Sequence, residues 1–123
     1  MKQALIVFIG GGFGSMLRYV ISKKLNHFFE HFYLGTFLVN VLGCLLIGFL
    51  LAFSEKNNFI SQNQMLLLAT GFCGGFTTFS TFAYEQHNLL RTSGLLFFSS
   101  YTLASIVLGI IAIVAGIWLA KLV

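Results

Sequence analysis

Apolar and polar residues fall into long separate blocks along the chain. Four apolar runs, residues 4–21, 35–53, 65–84 and 94–120, alternate with the polar connectors KKLNHFFEHFY, SEKNNFISQNQ and EQHNLLRTS. Each run is close to the ~20 residues that an α-helix needs to cross the hydrocarbon of a bilayer. The pattern therefore predicts an all-α integral membrane protein, a single domain over residues 1–123 with four transmembrane helices. The short connectors leave no room for a soluble domain. The opening MKQALIVFIGGGFGS imitates a signal peptide, but no small-residue cleavage site follows and the run continues to Ile21. It is read as an uncleaved first span.

Composition agrees: the chain is 58% hydrophobic and 8% charged, with no proline. The net charge of +4 comes from scattered basic residues without a cluster, which indicates helix flanks rather than a nucleic-acid partner. Cys44 and Cys73 lie singly within apolar runs, with no C-x-x-C, so they read as small apolar packing residues and not as a redox pair or zinc site.

With four spans, both termini and the second connector share one side of the membrane, carrying Lys2, Lys56 and Lys121. The other side carries Lys23, Lys24 and Arg91, with Arg18 just inside the first span. The positive-inside rule has almost nothing to act on. The balance favours insertion both ways up and an antiparallel homodimer. The alternative is a single orientation set by Arg18 or by factors outside the charge count.

Several polar residues fall inside the runs. Arg18 is either an interfacial anchor, its long stem reaching to the membrane surface, or part of an electropositive vestibule for an anion. Asn40 cannot reach the surface; it either clamps two helices or offers its amide to a permeating anion. Tyr101 and Ser105 are one helical turn apart and place two hydroxyls on one face.

The third run contains GFCGGFTTFSTFAYE (71–85), in which glycines and hydroxyls crowd among phenylalanines. Gly10/Gly14 and Gly71/Gly75 fit the G-x-x-x-G spacing of closely packed helices. The hydroxyls Thr77, Thr78, Ser80 and Thr81 favour a second reading, a helix broken near its middle, because packing needs only the glycines. Such breaks in a membrane mark pathways or ion sites, where protein, water or an ion satisfies the freed backbone. Phe72, Phe76, Phe79 and Phe82 recur at helical intervals. Such a stripe is ordinary core, but ring edges carry partial positive charge and can hold an anion weakly.

GGGFGSMLRY (10–19), GTFLVNVLG (35–43) and GFCGGFTTFSTFAYE (71–85) together closely resemble the Fluc, or CrcB, family of fluoride channels, and the likeness runs through all four helices. The resemblance implies a fluoride-selective channel that exports fluoride passively across the plasma (inner) membrane of a prokaryote as a dual-topology antiparallel homodimer. It also implies residue roles. Phe79 and Phe82 would line the fluoride path as an aromatic box, and Asn40, Ser80, Thr81 and Tyr101 would form a polar track. Arg18 would sit at the vestibule, Glu85 would match the acidic residue after the box, and Ser105 is a weaker assignment. Backbone carbonyls of Gly74 and Thr77 would bind a structural sodium ion at the dimer interface.

Independently of the family, hydroxyls, an amide and ring edges are donors weak enough to replace water around a small anion and let it leave. A rival, the dual-topology exporter of cations, needs a carboxylate within the membrane, and Glu30, Glu55 and Glu85 are expected at or outside helix ends. A membrane enzyme is not expected either: His27 and His31 in HFFEH lack a third metal ligand, and GGGFGS lacks the context of a dinucleotide fingerprint.

Overall fold

The structure is a computed structural model, and it describes residues 1–57 and 60–123. Residues 58 and 59, in the middle of the second connector, lie outside this description. Among the described residues the chain is helical without a β-strand, and it has 4 helices long and apolar enough to cross a membrane.

Three of the spans are continuous: α1 (Lys2–Leu25), α2 (Leu34–Asn57) and α6 (Leu95–Leu122). The other, Gln62–Thr92, is assembled from pieces. A short α3 (Gln62–Met65) opens on a capping box in which Ser61 and Gln64 satisfy each other's free amides. It continues through wider π-helical turns (Leu66–Cys73) into α4 (Gly74–Phe76). Thr77 (φ −82°, ψ 161°) and Thr78 (φ −151°, ψ 122°) are then extended, and helix resumes as α5 (Phe79–Thr92).

The polar stretch from Glu85 to Thr92, expected as a connector, is thus the second half of α5. It is amphipathic: Glu85, Gln86 and Leu89 face inward while Tyr84, His87 and Leu90 face out. Gly94 ends this helix and starts the next. Its φ of 88° is a conformation that side chains disfavour, and its amide donates to the Leu89 carbonyl (3.0 Å).

Helices pair through seams of small residues, as expected where lipid replaces water and close packing supplies the attraction. α1 lies against the third span at Gly10, Gly14, Gly71 and Gly75, where an added Cβ would strike the backbone of the facing helix. α2 lies against α6 at Gly48 and Gly116 in the same way. Val39, Leu89, Tyr101 and Thr36 are the largest fully buried side chains among the described residues. The outer faces carry Phe8, Ile110, Val114 and Trp118, all exposed as lipid-facing residues are.

Candidate functional site

The two extended threonines free backbone groups in the middle of a membrane span, and most of these find partners. The Cys73 carbonyl accepts from both the amide (3.0 Å) and the hydroxyl (2.9 Å) of Thr77. The Gly75 carbonyl accepts from Arg18 Nε (3.0 Å) and Ser15 Oγ (3.3 Å) of α1. Asn40 of α2 takes both backbone groups of Thr78: its Oδ1 accepts from the amide (2.8 Å) and its Nδ2 donates to the carbonyl (3.2 Å). Thr78 also caps α5, its Oγ1 accepting from the Thr81 amide (3.3 Å) and donating to Thr81 Oγ1 (3.2 Å). The Gly74 and Thr77 carbonyls receive no hydrogen bond from any described residue. Gly74 looks into open space, where a Cβ would meet nothing within 4 Å.

A pocket of about 440 Å³ opens beside this interruption, and Asn40, Gly74, Thr77, Phe79, Phe82 and Ser105 are on its wall. No charged side chain among the described residues lines it. The Phe79 and Phe82 rings are 6.3 Å apart and tilted, and Phe79 is 80% exposed on the single chain. Ser105 Oγ is buried there without a hydrogen-bond partner. Cys44 and Cys73, separate in sequence, both reach this same pocket.

Behind Phe82 the rings pass to Tyr101 (5.4 Å) and from there to a buried polar cluster. Glu85, only 3% exposed, accepts from Thr36 Oγ1 (2.5 Å), Asn26 Nδ2 (3.3 Å) and Tyr101 OH (2.9 Å). Asn26 also accepts from the Thr36 amide (3.0 Å), so the end of α1, the start of α2, α5 and α6 meet at one carboxyl group. The sequence expectation for Glu85, a carboxylate at or beyond a helix end, is corrected here: the helix restarts at Phe79 and runs on to Thr92, placing Glu85 inside it.

The structure thus brings Asn40, Phe79, Phe82, Ser105, Gly74 and Thr77 to one pocket wall, with Thr81 and Ser80 on the first turn of α5 beside it. Ser80 is exposed, its hydroxyl 3.5 Å from Thr78 Oγ1. Tyr101 and Glu85 stand behind Phe82, not on the wall. Arg18 is on the α1 side, where it caps a carbonyl, a third role beside the two open to it from sequence.

Asn26 and Thr36 were not singled out by sequence. The usable signal was an amide following the last turn of the first run and a hydroxyl opening the second, both short side chains suited to capping. His31 is engaged with Ser93 (2.9 Å) and sets its ring tilted against Phe97 (4.5 Å), while His27 is exposed.

Residues 5–117 match the family model described as "CrcB-like protein, Camphor Resistance (CrcB)". A Phocaeicola vulgatus protein named "Fluoride-specific ion channel FluC" is 42% identical over 98% of this chain and 100% of its own length. Proteins of the same name from Bacteroides fragilis and Gloeothece citriformis are each 44% identical, over 98% of this chain and 98% of their own length. Matched along nearly its whole length by the family model and by these relatives, the chain belongs to the CrcB family of membrane proteins.

Proposed function

We propose that this chain is a fluoride-selective channel that lets fluoride leave a prokaryotic cytoplasm down its gradient, through the plasma membrane in which its four spans form a single channel domain. One observation carries the reading: a charge-free pocket set against an interruption of the third span, in a chain whose relatives are named fluoride-specific channels. Fluoride holds its water tightly, so a pore must offer substitutes step by step without a cation that would trap it. The spare N–H of Asn40 and the edges of Phe79 and Phe82 would be such substitutes at the pocket wall, with the buried, unpartnered hydroxyl of Ser105 a further donor at that lining residue. Beyond Phe82, Tyr101, Thr81 and Ser80 extend the polar route, Glu85 anchors its far end through Tyr101, and Arg18 gives the α1 side an electropositive approach.

The same wall supports an antiparallel homodimer around a structural sodium ion. Free carbonyls cannot face lipid, where each costs several kcal/mol. Gly74 and Thr77, whose carbonyls receive no hydrogen bond from any described residue, line one open face with the exposed Phe79. A second copy inverted across that face would supply the same two oxygens again, a donor set of unwound backbone carbonyls that suits Na⁺. These residues would hold the ion, which would tie the two interruptions together and satisfy the carbonyls. The near balance of basic residues between the two sides supports insertion in both orientations.

The cation-exporter reading loses its sequence argument, because Glu85 is a carboxylate within the span. Family membership is what sets it aside. The reading is tested by expressing the chain in a bacterium stripped of its own fluoride exporter: growth in fluoride medium is the expected result. Continued fluoride sensitivity despite full membrane expression would reject it.

A further inference from the structure

Cys44 and Cys73 are each unexceptional as small apolar residues. The fold brings both cysteines, neither in a disulfide, to the wall of one pocket. Gly43, next to Cys44, touches the Thr77 methyl so closely that a Cβ would collide with it. Thr77 in turn donates its hydroxyl to the Cys73 carbonyl (2.9 Å). α2 and the third span therefore approach closely at Gly43 and Thr77, beside Cys44 and one turn on from Cys73. From α6, Gly109 faces Cys44 Sγ without a side chain; a Cβ there would stand 3.6 Å away. Ile47, Ala69 and Ile106 are apolar members of the same wall, which also carries Asn40, Thr77, Thr78 and Ser105 but, among the described residues, no charged side chain.

Sulfur is a soft ligand that binds metal after losing its proton. Among the described residues no group of three or more His, Cys, Asp or Glu converges, so the pocket lacks the four ligands of a structural zinc site. Two cysteines on the wall of a charge-free pocket suit instead a soft ion content with two ligands and delivered as a neutral species. We propose that Cys44 and Cys73 together bind one thiophilic metal ion, Hg²⁺ or Ag⁺ in class, and that the bound ion obstructs conduction. The obstruction rests on the channel reading above; the metal site does not. With HgCl₂ the step balances without redox change: two S–H bonds and two Hg–Cl bonds break, two S–Hg bonds form, and two protons and two chloride ions leave to water.

The test uses purified protein in liposomes treated with HgCl₂, read by intact mass, by titration of free thiols and by fluoride efflux. Each efflux rate is compared with the metal-free rate of the same variant. The expected result is one mercury per chain, both thiols lost, and efflux slowed about tenfold or more by the seated ion, with recovery on adding excess dithiol. The variants C44S and C73S should each bind more weakly, and the double variant should take up no mercury and keep its own rate. Unreacted thiols, or two mercury ions per chain with one on each sulfur, would overturn the shared site. Equal slowing of the double variant, or binding without slowing, would overturn the obstruction. If untreated wild-type vesicles pass no fluoride, the channel reading fails while the mass measurement still decides the site.

Discussion

Asn40 bonds both backbone groups of Thr78, accepting from its amide at 2.8 Å and donating to its carbonyl at 3.2 Å. One side chain of α2 thereby replaces the ladder that the third span gives up at that residue, and ties the pocket wall to the neighbouring helix. Asn40→Ala should leave both groups unpaired, at a cost of about 1–3 kcal/mol each, and lower Tm in detergent together with fluoride flux. Asn40→Asp keeps the acceptor for the Thr78 amide but puts a negative charge on the wall. It should fold better than the alanine variant and conduct less, as shown by comparing Tm with flux per folded protein. Equal flux in Asn40→Asp and wild type would contradict the charge-free wall.

Glu85 is the shared acceptor of Thr36, Asn26 and Tyr101. Glu85→Leu removes the acceptor of the Thr36 hydroxyl and leaves Asn26 only Thr36 Oγ1 (3.2 Å) and Tyr101 only the distant Tyr33 carbonyl (3.5 Å), so it should destabilise the fold by about 2–5 kcal/mol. Glu85→Gln keeps an acceptor for Thr36 and Asn26, and the Tyr101 hydroxyl can turn toward the Tyr33 carbonyl, 3.5 Å away. Thermal unfolding should therefore rank wild type above Gln and Gln well above Leu. An unchanged Tm for the leucine variant would show that the cluster is not a structural anchor.

The glycines divide into two kinds. Gly10→Val and Gly14→Val should disrupt folding, because a side chain there strikes the backbone of the third span. Gly12→Ala should be tolerated, since nothing lies within 4 Å of an added Cβ. Expression and monodispersity on size exclusion would separate the two groups, and a well-behaved Gly14→Val would refute the seam.

Sodium removal tests the proposed ion at the Gly74 and Thr77 carbonyls. Replacing Na⁺ by a bulky organic cation should lower the stability of the dimer, by about 2–3 kcal/mol if the ion is near a hundredfold above its Kd. Dimer dissociation followed by cross-linking is the readout. Insensitivity to the cation would argue that the carbonyls are satisfied some other way.

Hydropathy made the four spans legible, because a bilayer sets both the length and the composition of what crosses it. It failed at Glu85: an amphipathic half-helix such as 85–92 lowers the average enough to resemble a connector, although its Glu85, Gln86 and Leu89 face is buried. The spacing of Gly71, Gly74 and Gly75 did not reveal which glycine packs and which lies open, since that depends on whose backbone stands opposite. Asn26 was hidden for the same reason, its partners Thr36 and Glu85 being brought near only by the packing of four helices. The common position of Cys44 and Cys73 on one wall was likewise invisible, as sequence separation says nothing about a shared pocket.

Phe79 offers the cleanest separation of conduction from folding, because it is 80% exposed on the single chain, its ring 6.3 Å from that of Phe82. The most direct measurement is electrode-recorded fluoride and chloride efflux from liposomes holding the wild-type protein or Phe79→Ile. The account predicts rapid fluoride loss with chloride retained for the wild type, and a rate at least about tenfold lower for Phe79→Ile at equal folded protein once the ring edge is gone. Wild-type vesicles that hold their fluoride as well as empty ones do, or that leak both halides alike, would contradict it.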